Sequence, residues 1–190
     1  MQFIILHHRR RLLHQGIFVH QKKLMMSVKK SIAIVGATEK IGEVIAIQFM
    51  NSNYSLLLIS NNKDRLDYLA QKMADKKPKA EVNFMECVKD GCWEADIIIL
   101  AVPPDEEKMV AELMKEVATQ KVVVDISNEE NACKKLKEIL PYSKLVKVSG
   151  DFHSKEIVIK GDNETVNEEI SEIFNQVGYH SIIENYFHKN

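Results

Sequence analysis

The sequence predicts an α/β domain wound around a mostly parallel sheet, with helices on both faces. Three observations carry this. From Ser31 onward, short apolar runs alternate with longer amphipathic segments. Most of those runs are unbroken rather than alternating, as expected of strands covered on both sides. The first run also leads directly into a glycine-containing turn, Gly36-Ala37-Thr38-Glu39-Lys40-Ile41-Gly42, followed by a helical pattern.

Taken in order, the strands are expected at Ile32–Val35, Leu56–Ile59, Val82–Met85, Ile97–Leu100, Val122–Val124, Leu145–Val148 and Ile157–Ile159. Helices are expected between them at Ile41–Met50, Lys63–Ala74, Asp105–Ala118 and Glu130–Leu140. In the third helix Met109, Val110, Leu113, Met114 and Val117 should share one apolar face. Pro103 and Pro104 stand at a strand exit and helix entry, where proline is tolerated. The succession argues for right-handed crossovers and a doubly wound sheet. A last unit follows: a strand over Lys155–Lys160, a helix with Val166, Ile170, Ile173, Phe174 and Val177 on one face, Gly178 as its stop, and a strand over Tyr179–Ile183.

No Pro/Gly/Ser-rich linker divides residues 27–190, so one domain is expected there. Residues 1–26 fit neither period and are expected to be a leader or an upstream extension, with Ser27-Val28-Lys29-Lys30 a natural start for the domain. Residues 1–30 hold seven Lys/Arg and no carboxylate; the remainder holds nineteen basic and twenty-seven acidic side chains. An acidic body offers no footprint for nucleic acid. The 45% hydrophobic and 28% charged content suits a globular domain rather than a disordered one. No apolar run is long enough to span a bilayer, so no membrane partner is expected. Cys87, Cys92 and Cys133 make neither a disulfide framework nor a metal-ligand pattern. Reduced thiols, no metal and a cytoplasmic location are the expectation.

The turn carries the chemistry. N–H groups at a helix N-terminus, aided by the helix dipole, stabilise a pyrophosphate. Glycines permit the turn, the close approach of phosphate and the packing of helix on strand. Gly36, Ala37, Thr38, Glu39, Lys40, Ile41 and Gly42 are therefore the candidate phosphate cradle of a Rossmann-type NAD(P)-binding fold. Glu39 stands where the central glycine is usual. Its carboxylate should either repel the phosphates or accept the helix N–H groups itself. Ser60, Asn61, Asn62, Lys63 and Arg65 follow the second strand, where such a domain meets the adenine ribose. No carboxylate ends that strand, so NADP is preferred to NAD. Ala101, Val102, Pro103 and Pro104 should lie over the nicotinamide ribose, and Asp125, Ser127 and Asn128 end the next strand beside them. His153 is the best-placed histidine for proton transfer, but no catalytic base is named.

On these motifs the sequence resembles the NADP reductases that use the deazaflavin coenzyme F420, and the cytosolic NADPH domain of the six-transmembrane metalloreductases. Ile34–Gly42 follows their strand-turn, with Ala37 and Glu39 substituted. Leu100-Ala101-Val102-Pro103 matches their L-A-V-P, and Val124-Asp125-Ile126-Ser127-Asn128 their V-D-V-S-N. Leu140–Val148 and Ile157–Asn163 approximate two later segments, so the likeness runs from Ser31 to about Glu184. It implies a homodimeric oxidoreductase that moves hydride between NADP(H) and a flavin, deazaflavin or small-molecule acceptor. Two departures stand beside these matches. Ser60-Asn61 replaces the Ser-Arg pair with which the family reads the 2′-phosphate of NADP, and the segment that completes the family's deazaflavin pocket is largely missing between Asp151 and Lys155. The rival expectation is a non-catalytic Rossmann domain, acting as a nucleotide sensor or interaction protein.

Overall fold

The computed structural model describes residues 29–127, 129 and 132–184. The expected leader, Asn128 and the start of the helix expected from Glu130 lie outside these residues. Eight strands form one sheet: β1 Ser31–Val35, β2 Ser55–Ile59, β3 Glu81–Met85, β4 Ile97–Leu100, β5 Val122–Asp125, β6 Lys144–Asp151, β7 Glu156–Gly161 and β8 His180–Ile183. Six helices are described: α1 Lys40–Phe49, α2 Lys63–Ala74, α3 Val88–Glu94, α4 Pro104–Met114, α5 Ala132–Ile139 and α6 Glu164–Gln176. The strand order is β3-β2-β1-β4-β5-β6-β7-β8. All neighbours are parallel except β6 and β7. The doubly wound, mostly parallel sheet is thus the observed fold.

Strand alternation divides the core into two layers. Ile32, Ile34, Leu56, Leu58, Ile99 and Val124 pack with α1, α2 and α6. Ala33, Val35, Leu57, Ile98, Leu100 and Val123 pack with α3, α4 and α5 on the other face. The four central strands β1, β2, β4 and β5 are buried almost throughout, which explains their continuous apolar sequences. The edge strand β3 departs from that expectation. Glu81, Asn83 and Phe84 are exposed, because among the described residues no strand lies beyond it.

Two further sequence expectations are corrected. The buried face of α4 is Glu107, Val110, Ala111 and Met114, with Val117 beyond its end. Met109 and Leu113 point to solvent at 54% and 52% exposure. The expected stripe was therefore rotated, because it skipped the small Ala111 and the charged Glu107. Helix α3 was not expected at all. Its seven residues are too few for a periodic signal, and they include a glycine. Gly91 is there because a Cβ would stand 2.4 Å from Ile59 Cδ1.

The last unit closes on aromatic packing. Tyr179 precedes β8 rather than opening it, and is buried edge-on against Phe174 and Phe152 at centroid distances of 5.3 and 5.9 Å. Asn163 caps α6, its side chain accepting from Val166 N at 3.1 Å. Asn163→Ala should lower stability by about 1 kcal/mol, a fall of roughly 2–4 °C in Tm. An unchanged melting curve would show that water replaces the cap without loss.

Candidate functional site: the carboxyl ends of β1, β2 and β4

At the end of β1 the chain turns through Gly36 at φ +83°. A Cβ here would stand 2.6 Å from the carbonyl oxygen of Ala101, so the turn lies directly against the end of β4. Gly36 N and Ala37 N donate to Ile59 O at 2.9 and 3.0 Å, and Glu39 N donates to Gly36 O at 2.9 Å. Helix α1 begins one residue later, with Glu39 as its N-cap residue. Gly42 faces back onto the turn, where a Cβ would come within 2.0 Å of Gly36 O. The helix start is seated on the turn at a distance only glycine allows.

The Glu39 side chain makes no cap hydrogen bond. Of the two roles expected for its carboxylate, capping the helix is therefore not the one observed. The first-turn N–H groups of α1 remain available to water or an anion. Glu39 instead turns toward α2, where Arg65 Nη1 donates to its Oε1 at 3.0 Å.

Around the end of β2, Ser60 is buried and its hydroxyl lies 2.6 Å from that of Thr38. Asn62 N donates to Ser60 Oγ at 3.2 Å, and the Asn62 side chain caps α2 by accepting from Arg65 N at 3.0 Å. The cradle and the Ser60–Arg65 segment are thus brought together, with Asn61, Asn62, Lys63 and Arg65 exposed on the rim. Lys63 pairs with Glu86 at 3.4 Å and Asp67 at 3.9 Å. No carboxylate ends β2, but Asp64 lies within the rim and Asp67 one turn beyond it, and the fold adds Glu39 and Glu86 to its two cations.

The third side of the crevice is the end of β4. Ala101 is buried and its N–H bonds to Val35 O at 2.9 Å. Val102 leans toward Gly36, Pro103 is the N-cap residue of α4, and Pro104 opens that helix. Two prolines hold this exit stiff. Lys40 is exposed and Ile41 is partly buried against the core.

Ser127 follows β5, whose end adjoins that of β4 through the bond from Ile126 N to Leu100 O at 3.0 Å. The Ser127 hydroxyl donates to Asp125 Oδ2 at 3.0 Å, and the Cys133 thiol lies 3.6 Å from the same oxygen. Asp125 is only 2% exposed, and burial raises its carboxyl above the usual carboxylate range. Lys147 is its partner across the β5–β6 register and donates to the carbonyl of Glu129. Burial, then the negative charge of Asp125, pushes the Cys133 thiol up to about 12, so it stays protonated at neutral pH. Beside this group stands Glu107, 8% exposed, with Oε1 lacking a hydrogen-bond partner among the described residues. Burial first, and then the Asp125 charge, raise its carboxyl to about 7. The sequence reading missed Glu107, although its spacing of three, four and seven from Val110, Ala111 and Met114 marked the buried face.

His153 sits on the four-residue hairpin loop between β6 and β7, well exposed, with its backbone N–H bonded to Asp151 Oδ1 at 2.9 Å. Three interstrand spacings separate β6 from β1, about 14 Å, so it is not part of the cradle. Among the described residues, no group of three or more His, Cys, Asp or Glu side chains is placed to hold a metal ion. No helix among them is long and apolar enough to cross a membrane.

Comparison with known proteins agrees with this geometry. The family model for NADP oxidoreductase, coenzyme F420-dependent, matches residues 31–129, which hold all three sides of the crevice. No curated protein sequence matches the chain. Among solved structures, the fold resembles pyrroline-5-carboxylate reductase from Coxiella burnetii with a TM-score of 0.65 at 16% identity, covering 83% of this chain and 59% of that one. It also resembles the NADP-bound pyrroline carboxylate reductase of Plasmodium falciparum, with a TM-score of 0.57 at 20% identity and coverage of 83% and 58%. A protein from Arthrobacter sp. FB24 assigned as an F420-dependent NADP-reductase gives 0.66 at 12% identity, covering 83% and 84%. The chain therefore spans a little under three fifths of the length of the two pyrroline carboxylate reductases. At these identities the likeness is one of fold.

Proposed function

Because the chain belongs to the coenzyme F420-dependent NADP oxidoreductase family, we propose that it binds NADP(H) and moves hydride between the nicotinamide and a flavin, deazaflavin or small-molecule acceptor. One observation carries the dinucleotide part. The uncapped start of α1 is seated on the Gly36 turn at a distance that excludes even a methyl group at Gly42. That leaves N–H groups and a helix dipole facing the end of the sheet, the arrangement that receives a pyrophosphate. The residues present fit the group.

In this reading Gly36 to Gly42 hold the pyrophosphate by backbone donors. The Thr38 and Ser60 hydroxyls and the Asn62–Arg65 rim receive the adenosine ribose. Ala101 leaves room for the nicotinamide ribose, and Pro103-Pro104 fix the wall beside it. The nicotinamide, when bound, supplies the hydride chemistry, and the protein orients it and excludes water. The Ser127 hydroxyl donates to Asp125, which leaves it only acceptor sites toward the cofactor. A homodimer in the cytoplasm completes the proposal, by likeness to the family. The hairpin that replaces the longer pocket segment favours a small acceptor over a bound flavin.

Calorimetric titration of the full chain with NADPH, NADP, NADH and NAD tests the reading. NADP(H) should bind about tenfold more tightly than NAD(H), the scale expected of rim-exposed cations. Mixing the NADPH complex with a trial flavin or deazaflavin should then oxidise it. Binding without oxidation by any acceptor would favour the non-catalytic sensor. Tighter binding of NAD(H) would sink the NADP assignment.

A further inference from the structure

On the dinucleotide reading above, we propose that Glu39 is a specificity-determining residue, an internal competitor that occupies Arg65 and holds down the preference for a 2′-phosphorylated dinucleotide. The ion pair between them joins the phosphate turn to the first turn of α2, across 26 positions of sequence. Its geometry is set from both ends. Glu39 is fixed by the N–H bond to Gly36 O and by its place at the start of α1. Arg65 is fixed by the Asn62 cap on its own N–H. The carboxylate thus meets Arg65 at the rim, and Thr38, the residue before Glu39, pairs its hydroxyl with that of Ser60.

A ribose 2′-phosphate placed at those hydroxyls needs a cation, and Arg65 matches it well. A guanidinium binds phosphate through two parallel N–H donors. In this fold, however, Arg65 is already claimed. Both side chains are partly exposed, at 59% and 37%, so the pair is weak enough to exchange. A phosphate must displace the carboxylate, and Glu39 is then left unpaired beside a strongly negative ligand. An unphosphorylated ribose makes no claim on Arg65, so the pair stays closed and neutralises Glu39 while NAD(H) is bound. Glu39 therefore penalises NADP(H) selectively.

The test is a binding cycle on the full chain, using NADPH, NADH and adenosine 2′,5′-bisphosphate as probes of wild type, Glu39→Gln, Arg65→Ala and the double variant. Glu39→Gln keeps the side-chain shape and removes the charge. It should tighten NADPH and the bisphosphate about threefold to fivefold more than NADH. That differential should vanish when Arg65 is alanine. If Glu39→Gln tightens NADPH and NADH equally, with or without Arg65, the competitor is overturned and only general repulsion remains, while the dinucleotide reading stands. If no dinucleotide binds but the bisphosphate responds as expected, the competitor stands and the dinucleotide reading falls. If no probe binds any variant, both fall.

Discussion

Gly42→Ala should lower stability by about 2–3 kcal/mol and abolish NADPH binding. Alanine is the better helix former by about 1 kcal/mol, so intrinsic propensity alone predicts stabilisation. Packing opposes it. The added Cβ would stand 2.0 Å from Gly36 O and 3.2 Å from Ala37 Cα. These are backbone atoms, and neither has a rotamer to escape into. Relief requires the start of α1 to lift from the turn, which costs overpacking energy and moves the N–H groups that form the cradle. Gly91→Ala is the internal control. Its Cβ would meet Ile59 Cδ1 at 2.4 Å and Cγ1 at 2.9 Å, buried side-chain atoms that can shift where backbone cannot, and it also lies within a helix. Thermal melts of the two variants should diverge, with Gly42→Ala roughly 5–10 °C below wild type and Gly91→Ala lowered by less. A Gly42→Ala protein that melts and binds like wild type would refute the seating of α1 on the turn.

The second large effect is expected at Glu107, where pH is the variable. Its folded carboxyl titrates at about 7, raised by burial from an ordinary 4.5. Between those values the folded protein holds a proton that the unfolded chain has released. Stability from this group is complete below about pH 4.5 and is lost as pH rises through 7. The full span corresponds to about 3 kcal/mol. Asp125 is raised in the same sense by burial, so it adds to the slope with the same sign. Glu107→Gln resembles the protonated form and carries no titration. Urea melts from pH 5 to pH 8.5 should show the variant near wild type at pH 5 and about 2–3 kcal/mol more stable above pH 8. Parallel profiles across that range would mean that Glu107 is ionised and solvated in the folded protein.

Both predictions rest on features the sequence announced unequally. The glycine turn was legible because its requirement is local. A strand, a tight turn and a helix start occupy twelve consecutive residues, Ser31–Gly42, and each constrains residue type where it stands. The rim beyond β2 was legible in position, since Ser60 to Arg65 lie where expected, but its charge state was not. The carboxylate that meets Arg65 comes from the preceding crossover. Glu107 was hidden differently: a charged side chain on an apolar helical face reads as surface until the helix is docked.

What the sequence by itself determined is every element but the short α3, and their winding. Continuous apolar runs specify strands covered on both faces, amphipathic segments specify the crossovers, and Gly36 and Gly42 specify where the turn and the start of α1 pack together. These are short-range rules of period and sterics, so they survive without knowledge of neighbours. The tertiary structure alone decided which strands are edges, which face α4 buries, and which charges meet. The order β3-β2-β1-β4 sets the carboxyl end of β1 between those of β2 and β4. The N-terminal turns of α1 and α2 open on that same rim, so Glu39 and Arg65 come within one hydrogen bond of each other. Coulomb interactions depend on distance in space, and separation along the chain says nothing about it until the sheet is assembled.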